Sequence, residues 1–322
     1  MSKYLPKWMK PKEPDLDVDY EKLYKVKTKF GMLGPVGSGK STLAASLVYM
    51  CANLSSMVGN FYCRAFPKSS NILSDANNLR LGRFPEKTDP TLPKAPEAGL
   101  LIYEKGYRSH NVAVPICDVA GEISDHIAYS PRHMAYTPSQ MIAQRVQQVN
   151  QRVVDTVKDC QGFIIVLSAD DALMFREAPS MMDPDVYIHN VMSDIINFRL
   201  DNRRPEPHII FVISKWDTVM ERAKAMEMDV YDDEGGLDRF LANGFPNTAM
   251  LLKPLRDRSY VKYFRSWFTL KKDDQGNQIY WPGTTKPIID MKEDRSHYFP
   301  IRPKCSEDDF IAVIHEIATF AK

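Results

Sequence analysis

One stretch of eight residues has the types and spacing needed to bind a polyphosphate. GPVGSGKS, from Gly34 to Ser41, matches the phosphate-loop pattern G-x-x-x-x-G-K-[ST] without a mismatch. Gly34, Gly37 and Gly39 allow backbone conformations that a side chain would hinder, so that N–H groups can turn toward phosphate oxygens. Lys40 would reach the β- and γ-phosphates, and the Ser41 hydroxyl would bind magnesium. The stretch therefore predicts a nucleotide–magnesium site.

The surroundings of this stretch support the prediction. The stretch over residues 24–33, YKVKTKFGML, is predicted to be a strand, and the residues after Lys40 place apolar side chains at helical spacing. A helix that begins near Lys40 would add its N-terminal dipole and its free N–H groups, which both favour an anion. The predicted phosphate-binding residues are Gly34, Pro35, Val36, Gly37, Ser38, Gly39, Lys40, Ser41 and Thr42.

A second polar cluster follows a predicted strand over residues 110–117. Asp118 ends this strand and Gly121 comes three residues later, which makes the pattern D-x-x-G. Asp118 would hold magnesium through water, and the Gly121 N–H would meet the γ-phosphate. The pattern is informative only because it follows an apolar strand downstream of a phosphate loop.

A third cluster, SKWD, follows the apolar run PHIIFVI. The carboxylate of Asp217 could accept two hydrogen bonds, from N1–H and from the exocyclic N2 of guanine. Adenine offers no such donor pair, so Asp217 would select guanine. The aliphatic stem of Lys215 can cover one face of the base, and the Ser214 hydroxyl can tether this segment. Ser266, at the end of the last predicted strand, could present its backbone N–H to the base oxygen.

A threonine in the proline-rich loop over residues 82–99 would complete the magnesium shell and sense the γ-phosphate. Thr88 and Thr91 are both candidates. Thr88 is favoured because Pro85 and the charged Glu86 and Lys87 suit an exposed segment. An ordinary loop threonine is the alternative.

The bulk composition excludes several classes of protein. The chain has 322 residues, 44% of them hydrophobic, and a net charge of +1, so no overall field favours nucleic acid or a membrane surface. No apolar run approaches the ~18 residues of a membrane span, and the N-terminus lacks the apolar core of a secretory signal. Five scattered cysteines without a C-x-x-C pair indicate reduced thiols. These features together predict a cytoplasmic protein.

The three motifs, in this order and each at a strand end, resemble the Ras-like GTPase branch of the P-loop NTPases. The enlarged loop before Thr88 and the style of GRFPEKTDP and YFPIRP are also similar to prokaryotic double-GTPase proteins of multi-component, defence-associated gene clusters. The implied fold is α/β, a three-layer P-loop NTPase G domain with a mostly parallel sheet and one antiparallel hairpin strand. It would span residues 23–322, with insertions near 55–97, 218–258 and 271–298, after a flexible arm over residues 1–22.

The resemblance implies a switch protein that binds GTP or GDP with Mg²⁺ and protein partners that sense the nucleotide state; a homodimer is left open. By this analogy Lys40, Thr88, Gly121 and Glu122 are the catalytic residues, and Ser41, Thr88 and Asp118 hold magnesium. Glu122 departs from the glutamine of Ras-like proteins. A carboxylate cannot donate a hydrogen bond to the γ-phosphate and repels it, so slow hydrolysis is expected. The alternatives are an interaction module with little turnover and, disfavoured by SKWD, an ATPase or kinase.

Overall fold

The computed structural model describes residues 26, 28–35, 37–53, 58–66, 70–85, 99–104, 111–116, 160–170, 184–219, 235–258, 260–293 and 300–320. The strands are β1 (Thr28–Leu33), β2 (Phe61–Ala65), β3 (Gly99–Glu104), β4 (Val112–Pro115), β5 (Gly162–Ser168), β6 (His208–Ser214), β7 (Val261–Ser266), β8 (Met291–Glu293) and β9 (Ile301–Pro303). The helices are α1 (Lys40–Asn53), α2 (Ser70–Arg80), α3 (Pro184–Asp201), α4 (Gly236–Gly244), α5 (Pro246–Asp257) and α6 (Glu307–Phe320).

Seven strands form one sheet in the order β2-β3-β4-β1-β5-β6-β7. β3 is antiparallel to both β2 and β4, whereas β4, β1, β5, β6 and β7 pair in parallel. The predicted α/β class, with a mostly parallel sheet and one antiparallel hairpin strand, is confirmed. The chain leaves β1 toward one edge of the sheet and returns past β1 toward the other. The carboxyl end of β1 is therefore the place where open parallel sheets leave a crevice for a ligand.

Helices cover both faces of the sheet, as the alternation of side chains along its central strands requires. On β5, Ile164 and Val166 point into a core shared with α1, α2 and α6. Phe163, Ile165 and Leu167 point into the opposite core, which α3, α4 and α5 complete. Every residue of β5 and β6 is buried. Both strands are therefore continuous apolar runs, which is typical of strands buried on two faces.

The predicted strands and helices agree with the structure wherever it describes them, with two additions. β2 lies in a stretch without clear periodicity, because this edge strand buries only Cys63 of its five residues. The described residues 271–293 of the predicted insertion near 271–298 are part of a β layer. Isolated bridges join Phe268 to Cys305 and Leu270 to Ile289, and β8 pairs with β9. A bridge between Arg83 and Ile288 joins the same layer to the segment that follows α2.

Ser306 stands directly before α6, and its side chain bonds outside that helix. Its carbonyl accepts the first helical bond of α6, from the Phe310 N–H at 3.1 Å. Its hydroxyl oxygen accepts the N–H of Trp267 at 3.1 Å. The side chain of Ser306 thus links the start of α6 to the end of β7.

Several predictions lie outside the described residues. They concern the arm over residues 1–22, the helix that apolar side chains at helical spacing predict within residues 142–157, and the site residues Val36, Thr88, Asp118, Gly121 and Glu122. Among the residues that the structure does describe, no helix combines the length and the apolar character needed to cross a membrane.

A buried carboxylate from α3 supplies the N-terminal cap of α5, whose preceding residue, Phe245, makes no side-chain cap bond. Asp185 Oδ1 accepts the Thr248 N–H at 2.8 Å. Asp185 Oδ2 accepts the backbone N–H of Asn247 at 2.8 Å and its side-chain amide at 2.9 Å. Only 2% of the surface of Asp185 is exposed, so alanine would leave buried donors without this acceptor.

We therefore expect Asp185→Ala to lower the free energy of unfolding by about 3 kcal/mol, the scale of a lost cap and of charged hydrogen bonds. Urea unfolding monitored by circular dichroism measures this change. Asp201→Ala, at the exposed end of the same helix, is the matched control and should unfold with the wild-type midpoint. Equal midpoints for the Asp185 and Asp201 variants would show that the cap contributes nothing.

Candidate functional site

The sheet forms a step at the end of β1, and the glycine-rich loop lies on it. Leu33, the last residue of β1, pairs with Ile165, and β5 continues three residues farther to Ser168. At the rise of a strand this step is ~10 Å deep. β6 and β7 end level with β5, since Ser168, Ser214 and Ser266 stand in register. The loop that follows Leu33 therefore has the ends of β5 and β6 beside it.

Glycine is required where the loop touches the neighbouring strand. A Cβ built on Gly34 would lie 2.2 Å from the Val166 carbonyl oxygen, a distance that no side chain can adopt. Gly37 and Gly39 have φ angles of +68° and +93°, in the left-handed region that favours glycine. A Cβ on Gly37 would meet nothing within 4 Å. The loop therefore packs on β5 at one end and is open at Gly37.

Lys40 lies on the inner side of this loop at the start of α1. Its side-chain Nζ donates to the carbonyl oxygens of Gly34 and Pro35, at 2.9 Å each. Lys40 is 6% exposed, so a buried ammonium group stands where the backbone turns. The first N–H groups of a 14-residue helix begin at the same point. A buried cation beside a helix N-terminus is an arrangement suited to a phosphate chain.

A single hydrogen bond joins the glycine-rich loop to the segment that follows β6. The Ser214 hydroxyl donates to the Ser38 carbonyl oxygen at 2.6 Å, and both residues are buried. A Cβ on Gly39 would lie 3.3 Å from the Ser214 hydroxyl oxygen. The two motifs are 176 residues apart in sequence, yet they meet at the carboxyl edge of the sheet.

The SKWD segment leaves β6 through a tight turn. Lys215 has a φ of +56°, which is uncommon for a residue with a side chain. Its carbonyl oxygen accepts the Thr218 N–H at 3.1 Å and the Thr218 hydroxyl at 2.8 Å. Lys215 is exposed, Asp217 is half-buried and Trp216 is buried. The turn thus leaves the polar side chains of Lys215 and Asp217 at least partly exposed and buries the indole between them.

Ser266 lies in the row of strand ends, opposite Ser214. The N–H groups on either side of it are taken by the first turn of α6: Arg265 donates to Asp309 Oδ1 at 3.3 Å, and Trp267 donates to Ser306. Burial raises the pKa of the Asp309 carboxyl, and the hydrogen bond from Arg265 partly opposes this rise. Alternate N–H groups of an extended strand point to opposite sides, so that of Ser266 points toward β6.

The described site residues thus form one continuous edge. The structure brings Gly34, Lys40, Ser41, Ser214 and Ser266 to the carboxyl ends of four neighbouring strands. Lys215 and Asp217 continue the same edge beyond β6. Their roles in binding a base remain predictions. Thr88, Asp118, Gly121 and Glu122, the other predicted site residues, lie outside the described residues.

Ser38 was predicted among the phosphate-binding residues, whereas Trp216 was missed in the sequence. Ser38 is fully buried and its hydroxyl oxygen has no hydrogen-bond partner among the described residues, so its side chain offers a polar group inside the loop. Trp216 occupies the variable position of SKWD. An apolar ring between the polar residues Lys215 and Asp217 is a signal that could have identified a buried side chain that holds this turn.

The predicted magnesium ligands are only partly described. Ser41 is half-buried in the first turn of α1, and an oxygen ligand at this place suits Mg²⁺, which binds few protein groups together with substrate phosphates. Among the residues that the structure describes, no cluster of three or more His, Cys, Asp or Glu side chains could hold a metal ion.

Comparisons with known proteins give little further information. No protein-family model matches the chain, and no curated protein matches it significantly. Among solved structures, the chain is similar to the S. cerevisiae Ski7 GTPase-like domain bound to GTP, with 14% sequence identity and a TM-score of 0.32. The match covers 83% of this chain and 50% of that chain.

Proposed function

We propose that this chain is a guanine-nucleotide-binding switch protein that binds GTP with Mg²⁺ and hydrolyses it slowly to GDP. The observation that carries the proposal is the hydrogen bond from Ser214 to Ser38. It supports the proposal because it joins the glycine-rich loop to the segment after β6 at one edge of the sheet. A ligand that bound both would need a phosphate chain at one end and a purine base at the other.

The chemistry of each end narrows the ligand. Lys40 and the start of α1 provide positive charge for phosphates. Asp217 provides a carboxylate, which accepts hydrogen bonds and cannot donate them when ionised. Guanine presents two neighbouring donors on its Watson–Crick edge, whereas adenine presents one donor beside an acceptor. A carboxylate therefore favours GTP over ATP.

Magnesium would be held by the Ser41 hydroxyl, with Thr88 and Asp118 as the other proposed protein ligands. When bound, it would neutralise charge on the β- and γ-phosphate oxygens. The residues of the chain would position the nucleotide: Lys40 on the phosphates, Asp217 on the base. The segments that contain Thr88 and Glu122 would adopt different conformations in the GTP and GDP states and so change the affinity for protein partners. By the resemblance described above, these partners would belong to a multi-component prokaryotic system.

Glu122 makes the hydrolysis step slow in this proposal, and Glu122→Gln should accelerate it. Two like charges 4 Å apart repel by about 1–4 kcal/mol at the effective dielectrics of water to a protein surface, so removal of the charge should raise the rate about tenfold or more. Glutamine can in addition donate a hydrogen bond to the γ-phosphate while its carbonyl accepts one from water.

Phosphate release from GTP with excess enzyme, in one turnover, measures this rate. Lys40→Ala is the control, and any release that survives it comes from a contaminant. Equal or slower release by Glu122→Gln would show that the carboxylate does not limit hydrolysis. No release by either protein, with GTP still bound, would favour the interaction module with little turnover.

A further inference from the structure

The two segments proposed to read the base are joined by a contact between side chains that the proposed function does not use. Trp216 lies between Lys215 and Asp217, and Arg265 directly precedes Ser266. The guanidinium carbon of Arg265 lies 5.1 Å from the centre of the Trp216 ring. This distance is within the ~6 Å range of a cation–π interaction. The contact therefore connects the turn after β6 to the end of β7.

The indole is also fixed from its other side. Trp216 is 3% exposed, and its ring meets that of Phe240 edge to face, with the centroids 5.2 Å apart. Phe240 belongs to α4, which lies in the segment predicted as an insertion near residues 218–258. The ring of Phe240 packs in turn on that of Phe245. The insertion thus supplies the wall against which the SKWD turn is held.

Arg265 is held at its backbone as well as at its side chain. Its N–H donates to Asp309 Oδ1 in the first turn of α6, at 3.3 Å. The aliphatic stem and the guanidinium then extend toward Trp216. Arg265 is half-buried and Ser266 is buried. A movement of this strand end would therefore displace the indole, and a movement of the indole would displace the strand end.

We propose that Trp216 and Arg265 are positioning residues that set the selectivity for guanine. This inference rests on the proposed function, because it assigns a role in base recognition. The buried ring cannot itself cover an exposed base, so its effect passes through its neighbours. It fixes the turn that carries Asp217 and ties that turn to Ser266. A carboxylate must be held in one orientation to accept two parallel hydrogen bonds, and this pair supplies the restraint.

The experiment compares GDP with inosine diphosphate (IDP), which lacks the exocyclic N2 amine of guanine. Isothermal titration calorimetry gives the Kd of each nucleotide for the full chain and for Arg265→Met, Trp216→Phe and Trp216→Leu. Methionine keeps the aliphatic length of Arg265 and removes its charge. Lys262→Met is the matched control, because Lys262 is an exposed cation at the other end of β7.

The selectivity, defined as the Kd of IDP divided by the Kd of GDP, should fall about three- to fivefold in Arg265→Met, the size of one cation–π contact. The fall should be larger in Trp216→Leu, and small in Trp216→Phe, which keeps an aromatic face. Lys262→Met should keep the wild-type ratio. A merely structural role would weaken the binding of GDP and IDP equally and leave the ratio unchanged.

The inference is overturned if the wild-type chain prefers GDP to IDP and folded Arg265→Met keeps the full preference. Should Trp216→Leu fail to fold by circular dichroism, Arg265→Met decides alone. A wild-type chain that binds neither GDP nor IDP would contradict the proposed function itself, and the selectivity inference with it. A wild-type chain that binds both equally would contradict the role of Asp217.

Discussion

Replacement of Lys40 by alanine is expected to lower the affinity for GTP by about 100-fold or more. The ammonium group is buried and bonded to the carbonyl oxygens of Gly34 and Pro35. A charge-assisted hydrogen bond from this ammonium group to a phosphate oxygen would contribute about 1.5–3 kcal/mol to binding. A loss of about 2.7 kcal/mol corresponds to about 100-fold in Kd. Alanine removes the cation that would face the phosphates and leaves the loop carbonyls without this donor.

Fluorescence of a methylanthraniloyl GTP analogue, titrated with protein in the presence of Mg²⁺, measures this affinity. Lys253→Ala, an exposed lysine on α5, is the control and should bind as the wild-type chain does. Circular dichroism must show that Lys40→Ala is folded. A folded Lys40→Ala protein with a Kd within threefold of the wild-type value would show that the loop is not the phosphate site.

Asp217→Asn should change which base is bound rather than abolish binding. The carboxylate accepts from two donors of guanine, and asparagine would place one donor against another donor. A charged hydrogen bond and an unpaired donor together cost about 3 kcal/mol, so the Kd for GDP should rise about 100-fold. Xanthine carries a carbonyl oxygen in place of the N2 amine. The amide of asparagine can donate to this oxygen, and the Kd for xanthosine diphosphate (XDP) should fall.

Competition of GDP and XDP against a fluorescent GDP analogue measures both changes. Asp257→Asn, an exposed carboxylate at the end of α5, is the control and should leave the two affinities unchanged. An equal loss of affinity for GDP and XDP in Asp217→Asn would indicate that the substitution only disturbs the turn after β6 and that the carboxylate does not read the base.

The central part of the fold could be predicted from the sequence because its signals are strong. β5 and β6 are apolar runs that end in polar residues, a pattern that is typical of parallel strands buried on both faces. The strand, glycine-rich loop and helix around Lys40 are equally distinct. Since the carboxyl ends of parallel strands share one edge, the contact between the glycine-rich loop and Ser214 followed from the order of the motifs.

Other features depend on contacts that the local sequence does not encode. β2 buries one side chain of five, so its periodicity is weak and its pairing with β3 determines it. The cap of α5 comes from Asp185, 62 residues before Asn247, and no local sequence pattern predicts it. The partners of Trp216 lie 24 and 49 residues away along the chain, in Phe240 and Arg265. Tertiary packing decides each of these three.

The most direct test of the account is competition between GTP and ATP for the wild-type chain, which tests the joint assignment of Lys40 to phosphates and Asp217 to the base. A fluorescent GDP analogue is bound in the presence of Mg²⁺ and displaced by each unlabelled nucleotide. The account predicts that GTP displaces the analogue and that ATP is at least about 100-fold weaker, the cost of mismatching a charged hydrogen-bond pair. Displacement by ATP as effective as by GTP, or no binding of the analogue, would contradict it.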